Sequence, residues 1–168
     1  MSDIVNRLKE RFSDKLSNIE VKSPRRVYID FKPQDVTFLA KFMFTDMGCR
    51  LVTATGIDTP EAIEILYHFS CDRTGEMISL RTFINDKARP NIESIAPMIK
   101  GAEWIEREIW ELLGVNFANH PDLRHLLLID EWPEGEYPLR HDRKNKPPHD
   151  RDHDHDHDHE HDHEKAGD

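Results

Sequence analysis

The sequence predicts an α+β fold: a mainly antiparallel four-stranded sheet packed with helices, followed by an extended C-terminal arm and a disordered His/Asp tail. Three observations carry this prediction. Two alternating segments, 61–70 and 76–84, flank a turn and pair as a hairpin. A strand, a helix and a second strand precede them. Two amphipathic segments, one at the N-terminus and one at 103–113, repeat apolar residues at helical spacing. The expected division is an α+β domain at 1–115, an interface arm at 116–148 and the tail at 149–168.

Ile4, Val5, Leu8, Phe12 and Leu16 recur at helical spacing, so the first helix is expected over about residues 2–17. Val27, Ile29 and Phe31 alternate with Tyr28 and Asp30 in a strand that Lys32-Pro33 ends. Asp35 is placed to cap a helix carrying Val36, Leu39, Ala40, Met43 and Met47 on one face, and Gly48 suits its C-terminal exit. Residues 49–57 form the next strand. Ile63, Ile65, Tyr67 and Phe69 then alternate with a more polar set, Asp72-Arg73-Thr74-Gly75 makes the turn, and Ile78, Leu80, Thr82 and Ile84 alternate again. Helices on one side of a half-polar antiparallel sheet follow. From Asn116 the pattern stops: six prolines and glycines reach to Pro148, and the only apolar run is 126–129. A long irregular arm in a small domain lies against its own body or a partner.

The chain has 168 residues, with 23 Lys+Arg against 33 Asp+Glu, a formal net charge of −10. Nine acids and two bases fall in residues 149–168, so seven of those charges belong to the tail and only three to the body. Neither part suits nucleic-acid phosphates, and no nucleic-acid partner is expected. No apolar run approaches the roughly 18 residues of a membrane span, and the first residues lack the basic-then-apolar pattern of a secretory signal. Cys49 and Cys71 form no CxxC pair and are expected as two reduced, packed thiols of a cytoplasmic domain. They are also too few to ligate an iron–sulfur cluster.

The densest chemical signal is 103–114. Glu103, Arg107 and Glu111 stack at i, i+4 and i+8, where exposed ion pairs contribute about 0.2–0.5 kcal/mol each. Ile105, Ile109, Leu112 and Leu113 form the opposite stripe. Glu108 falls at the edge of the apolar arc and needs a partner. It is either a general acid or base with a raised pKa, or a structural carboxylate bonded to an arginine or to backbone N–H groups of the arm. No nucleophile or phosphate loop accompanies it, which favours the structural reading. His120-Pro121-Asp122-Leu123-Arg124-His125 matches no zinc spacing. Together with Leu139-Arg140-His141-Asp142 it reads as ion pairs and hydrogen bonds that tether irregular backbone.

The run from Trp104 to Val115, followed by Phe117, His120-Pro121-Asp122-Leu123-Arg124, Leu126-Leu127-Leu128, Trp132 and Tyr137-Pro138-Leu139-Arg140, resembles the C, or 30-kDa, subunit of proton-pumping NADH dehydrogenase. Relatives of that subunit occur in F420H2 dehydrogenases and in energy-converting membrane-bound [NiFe] hydrogenases. The resemblance covers residues 20–142, with its weight after 100. It implies a peripheral subunit with no redox cofactor of its own, at the cytoplasmic face of the cell membrane. Its implied partners are a large hydrogenase-like or D-type subunit and iron–sulfur subunits, with the membrane arm reached indirectly. Glu106, Arg107, Glu108, His120, Asp122, Arg124, Arg140 and Asp142 are then expected to hold the arm or the interface. No catalytic residue is expected. The shortness of the chain suits the hydrogenase or F420H2 branch.

In the tail, His153, His155, His157, His159, His161 and His163 alternate with acids, so an extended chain presents imidazoles on one side and carboxylates on the other. Imidazole suits nickel and zinc, and loose binding of either ion is expected. A solvated tail or an expression tag are the plainer readings.

Overall fold

The computed structural model describes residues 3–141. The order is α1 (Asp3–Phe12), β1 (Leu16–Ser23), β2 (Arg26–Phe31), α2 (Val36–Lys41), β3 (Arg50–Asp58), β4 (Ile63–Cys71), β5 (Glu76–Ile84), β6 (Asn91–Glu93), α3 (Ala102–Leu113) and β7 (Asn116–Ala118). The main sheet runs β1-β2-β5-β4-β3, antiparallel except where β2 meets β5. It therefore has five strands, one more than expected. The additional one is β1, because α1 stops at Phe12 and the chain turns at once, Lys15 N–H donating to the Phe12 carbonyl at 2.9 Å. Leu16, assigned to the helix by its spacing, instead opens β1. There a bulge between Leu16 and Asn18 lets both Leu16 and Ile19 pack against the core, and pairing with β2 outweighs the local helical signal.

Alternation sorts the sheet into two faces. Ile29, Ile65, Tyr67, Phe69, Ile78 and Leu80 are buried in one cluster with Ile4, Val5, Leu8 and Phe12 of α1 and Leu39, Ala40 and Met43 of the α2 region. The opposite face carries Asp30, Glu64, His68 and Arg81, with Arg81 bidentate on Asp30 at 2.7 and 3.0 Å. Asp35 begins α2 but makes no side-chain cap; its carboxylate pairs with Lys15 at 3.1 Å. The helix closes with a wider turn, Phe42–Asp46, before Gly48 at φ 65°.

The two cysteines are not free. Arg50 is opposite Ser70 in the β3–β4 ladder, so Cys49 and Cys71 face each other just beyond it, with Cα atoms 4.4 Å apart, and are joined in a disulfide. Their separation in sequence carried no sign of this; the strand register does.

Helix α3 lies across β3 on the core side. Gly56 makes the approach possible, since a Cβ there would stand 2.5 Å from Leu113 Cδ1 and 3.1 Å from Ile109 Cγ2. After α3, Gly114 adopts φ 73° and reverses the chain, and β7 pairs in parallel with β6. The first residues after 115 are thus a short strand rather than part of an irregular arm.

Candidate functional site

The chain beyond β7 wraps back over α3, and two charged side chains of that helix, Arg107 and Glu111, meet its backbone. Arg107 donates from Nε to the Arg124 carbonyl at 3.0 Å and from Nη2 to the His125 carbonyl at 2.6 Å. One turn later Glu111 accepts the N–H groups of Leu126, Leu127 and Leu128 at 2.9, 2.8 and 3.2 Å. A cation takes carbonyls and an anion takes the next amides, so five backbone groups of a segment without secondary structure are satisfied by two side chains. Burial pushes the Glu111 carboxyl up, but the three amides and His125 outweigh it and hold the carboxyl below its ordinary range.

Glu106 points the other way, into the core, and is fully buried. It accepts from Ser94 Oγ at 2.5 Å and from the Ile95 N–H at 2.9 Å, fixing the loop after β6. Burial dominates its titration and raises it to about 7, against the lowering effect of those donors. The buried Tyr67 phenol is pushed up as well, by burial and by the nearby Glu106 charge. His120 reaches the same region: its Nδ1 accepts the Asp122 N–H at 3.1 Å, so Nε2 carries the proton and donates to the Glu103 carbonyl at 2.9 Å. His120 Nε2 stands 3.9 Å from Glu106 Oε2.

Further along, Asp122 and Arg124 form an ion pair at 2.9 Å. Trp132 donates to the Glu136 carbonyl at 2.8 Å. The Tyr137 ring occupies the space where a side chain at Gly114 would stand. Leu139 N–H donates to the Leu112 carbonyl at 3.0 Å. Arg140 donates to the Lys87 carbonyl, and the His141 N–H donates at 2.7 Å to Asp58, which also pairs with Lys87 at 2.6 Å. Burial raises the Asp58 carboxyl, but Lys87 and His141 more than reverse this and hold it low.

The geometry redistributes the roles expected on this helix. The exposed Glu103–Arg107–Glu111 ladder does not form, because the arm covers that face and takes the charges of Arg107 and Glu111 for itself. Glu108 is exposed and accepts no arm amide. The carboxylate bonded to arm N–H groups is Glu111, and the one with the raised pKa is Glu106. Arg107, His120, Asp122, Arg124 and Arg140 all lie on the tethered path. Asp142 and the histidines His153, His155, His157, His159, His161 and His163 lie outside the described residues. Glu111 was read from sequence only as part of an exposed ion-pair ladder and Tyr137 only as part of the motif run, and Ser94 and Asp58 were given no role. Only Glu111 had a usable signal, its i+4 spacing from Arg107 just ahead of a segment whose backbone lacked partners.

Around this tether several large apolar side chains of α3 and of the chain that crosses it are exposed. Trp104 is 67% exposed, Leu127 and Ile129 64% each, and Leu139 57%. Exposed large apolar groups on an element held in place by its backbone offer an interaction surface.

Residues 29–149 match the family model described as the respiratory-chain NADH dehydrogenase 30 Kd subunit. The chain is 32% identical over 150 residues to the C subunit of the F(420)H(2) dehydrogenase of Methanosarcina mazei, covering 86% of this chain and 92% of that one. It is 39% identical over 88 residues to the C/D subunit of the NADH-quinone oxidoreductase of Bacteroides thetaiotaomicron, spanning 51% of this chain but only 16% of that longer protein. Among solved structures it shares its fold, at TM-score 0.74 and 22% identity over 89% of this chain and 92% of the other, with a chain of the membrane-bound sulfane sulfur reductase, an archaeal respiratory membrane complex.

Proposed function

The chain belongs to the respiratory-chain NADH dehydrogenase 30-kDa subunit family, and from that premise we propose that it is a non-catalytic peripheral-arm subunit of a complex-I-related, membrane-associated electron-transfer complex. In this reading it clamps a large hydrogenase-like or D-type subunit and the neighbouring iron–sulfur subunits. The observation that carries the proposal is the tethered arm. Residues 124–128 are held through their backbone, which leaves the Leu127 side chain free to face outward, exposed as Ile129, Trp104 and Leu139 also are. Such a surface offers apolar area and no converging nucleophile, as docking requires and catalysis does not. Among the described residues no helix is long and apolar enough to cross a membrane. Contact with the membrane would therefore run through partners, at its cytoplasmic face.

Affinity purification from native membranes tests this: a large subunit and iron–sulfur proteins should co-purify with the chain in fixed ratio. Recovery of the free chain alone overturns it. For the parent complex we favour the energy-converting [NiFe] hydrogenase over the NADH:quinone and F420H2 dehydrogenase branches, because the six alternating tail histidines suit nickel. A co-purifying large subunit with two CxxC pairs supports that branch, and one without them excludes it. A second reading, favoured by the same histidines, makes the chain a nickel- or zinc-binding protein acting through its tail.

A further inference from the structure

Strand β3 is the last strand of the main sheet, and among the described residues nothing pairs with its outer edge. A β-bulge interrupts it between Leu51 and Thr53, but from Ala54 to Asp58 the ladder with β4 is regular, so alternate residues of this stretch present N–H and C=O groups on its outer edge. Beside this edge runs a groove of about 280 Å³. Gly56 of β3, Ile105, Ile109 and Leu112 of α3 and Leu139 of the arm are among the residues that line it. Glu108 is the only charged residue lining it. Its carboxylate meets no cation or hydrogen-bond donor among the described residues. One helical turn before Glu108 on the same side stands the exposed Trp104.

An edge strand beside an apolar groove is the arrangement by which a fold accepts one more strand: backbone hydrogen bonds hold the added segment and pockets select its alternate side chains. The single unpaired carboxylate specifies the charge of what enters, since an aliphatic wall carrying one anion complements an aliphatic segment carrying one cation. We propose that the β3 edge and this groove receive an extended segment of a partner polypeptide that places a Lys or Arg on Glu108 between two aliphatic residues. Trp104 packs on the aliphatic stem of the incoming cation or on its neighbour. This docking site rests on the proposed role as a subunit and adds to it an attachment at the β3 edge, which shares Trp104 and Leu139 with the exposed apolar residues described above.

The test uses the assembled complex. A benzophenone amino acid replaces Ile105, a half-buried residue of α3 that lines the groove one turn from Glu108, the complex is irradiated, and the cross-linked peptide is identified by mass spectrometry. The expected product is a partner peptide with a Lys or Arg within two residues of the attachment point, and its yield should fall at least tenfold in Glu108→Lys. Because Glu108 is exposed, the variant should keep the parent thermal midpoint, which separates loss of docking from loss of folding. Cross-linking to residues 142–168 of the same chain, to a second copy, or to a partner segment without a cation overturns the proposal, as does the absence of any product above background. If the chain still co-purifies with its partners in those cases, only the groove assignment fails. If it does not co-purify, the subunit reading fails first.

Discussion

Two glutamates five residues apart on one helix should respond to pH in opposite directions. Burial raises Glu106 from an ordinary 4.5 to about 7, so between those values the folded state holds a proton that the unfolded chain has released. Its contribution is complete below about 4.5 and is lost as pH rises through 7. Relative to Glu106→Gln, the parent protein should lose roughly 2–3 kcal/mol in urea unfolding between pH 5 and pH 8, and parallel curves would count against this assignment. Glu111 is held low, so its contribution is present above its unfolded value and fades as pH falls. Glu111→Gln should cost about 2–3 kcal/mol. Hydrogen exchange at the amides of Leu126, Leu127 and Leu128 should quicken well beyond the change seen in the β4–β5 hairpin. Equal acceleration everywhere would show that Glu111 does not act on the arm specifically.

At the scale of elements, the hairpin of β4 and β5 and the helix α3 were legible because alternation and 3.6-residue spacing are local properties of the chain. The β1 strand was not, because Leu16 continues the spacing of α1, and only its pairing with β2 decides the matter. The arm was legible as irregular and in need of support, but which carboxylate supports it was not. Glu108 and Glu111 are equivalent as letters, and the path of residues 124–128 across α3 separates them. The disulfide belongs to the same class of fact, since Cys49 and Cys71 meet only once the β3–β4 register is set. It closes a loop across a separation of 22 residues. Reduction should therefore lower stability by about 3 kcal/mol, read as a shift of the urea midpoint on adding dithiothreitol. A Cys49→Ser/Cys71→Ser protein should show no such shift. An unchanged midpoint for the parent protein would mean that the strands hold the two sulfurs together unaided.

For the whole molecule, the net charge of −10 is mostly a property of residues 149–168, and the folded body is close to neutral. Removing those residues should abolish retention of nickel or zinc in equilibrium dialysis while leaving co-purification with partner subunits intact. Metal retention by the shortened chain would place the ions elsewhere, and loss of assembly would give the tail a structural part in docking. The tether of the arm has a consequence for how such a protein changes over time. Because Glu111 grips backbone amides, which every residue except proline supplies, the side chains of Leu126, Leu127 and Leu128 take no part in this fastening. Their identities are open to revision whenever the neighbouring protein alters its surface, with proline at 126–128 the principal substitution barred. One helix thus keeps a fixed grip on a strap whose outward lettering is replaceable, which lets a single small scaffold follow divergent partners without being rebuilt.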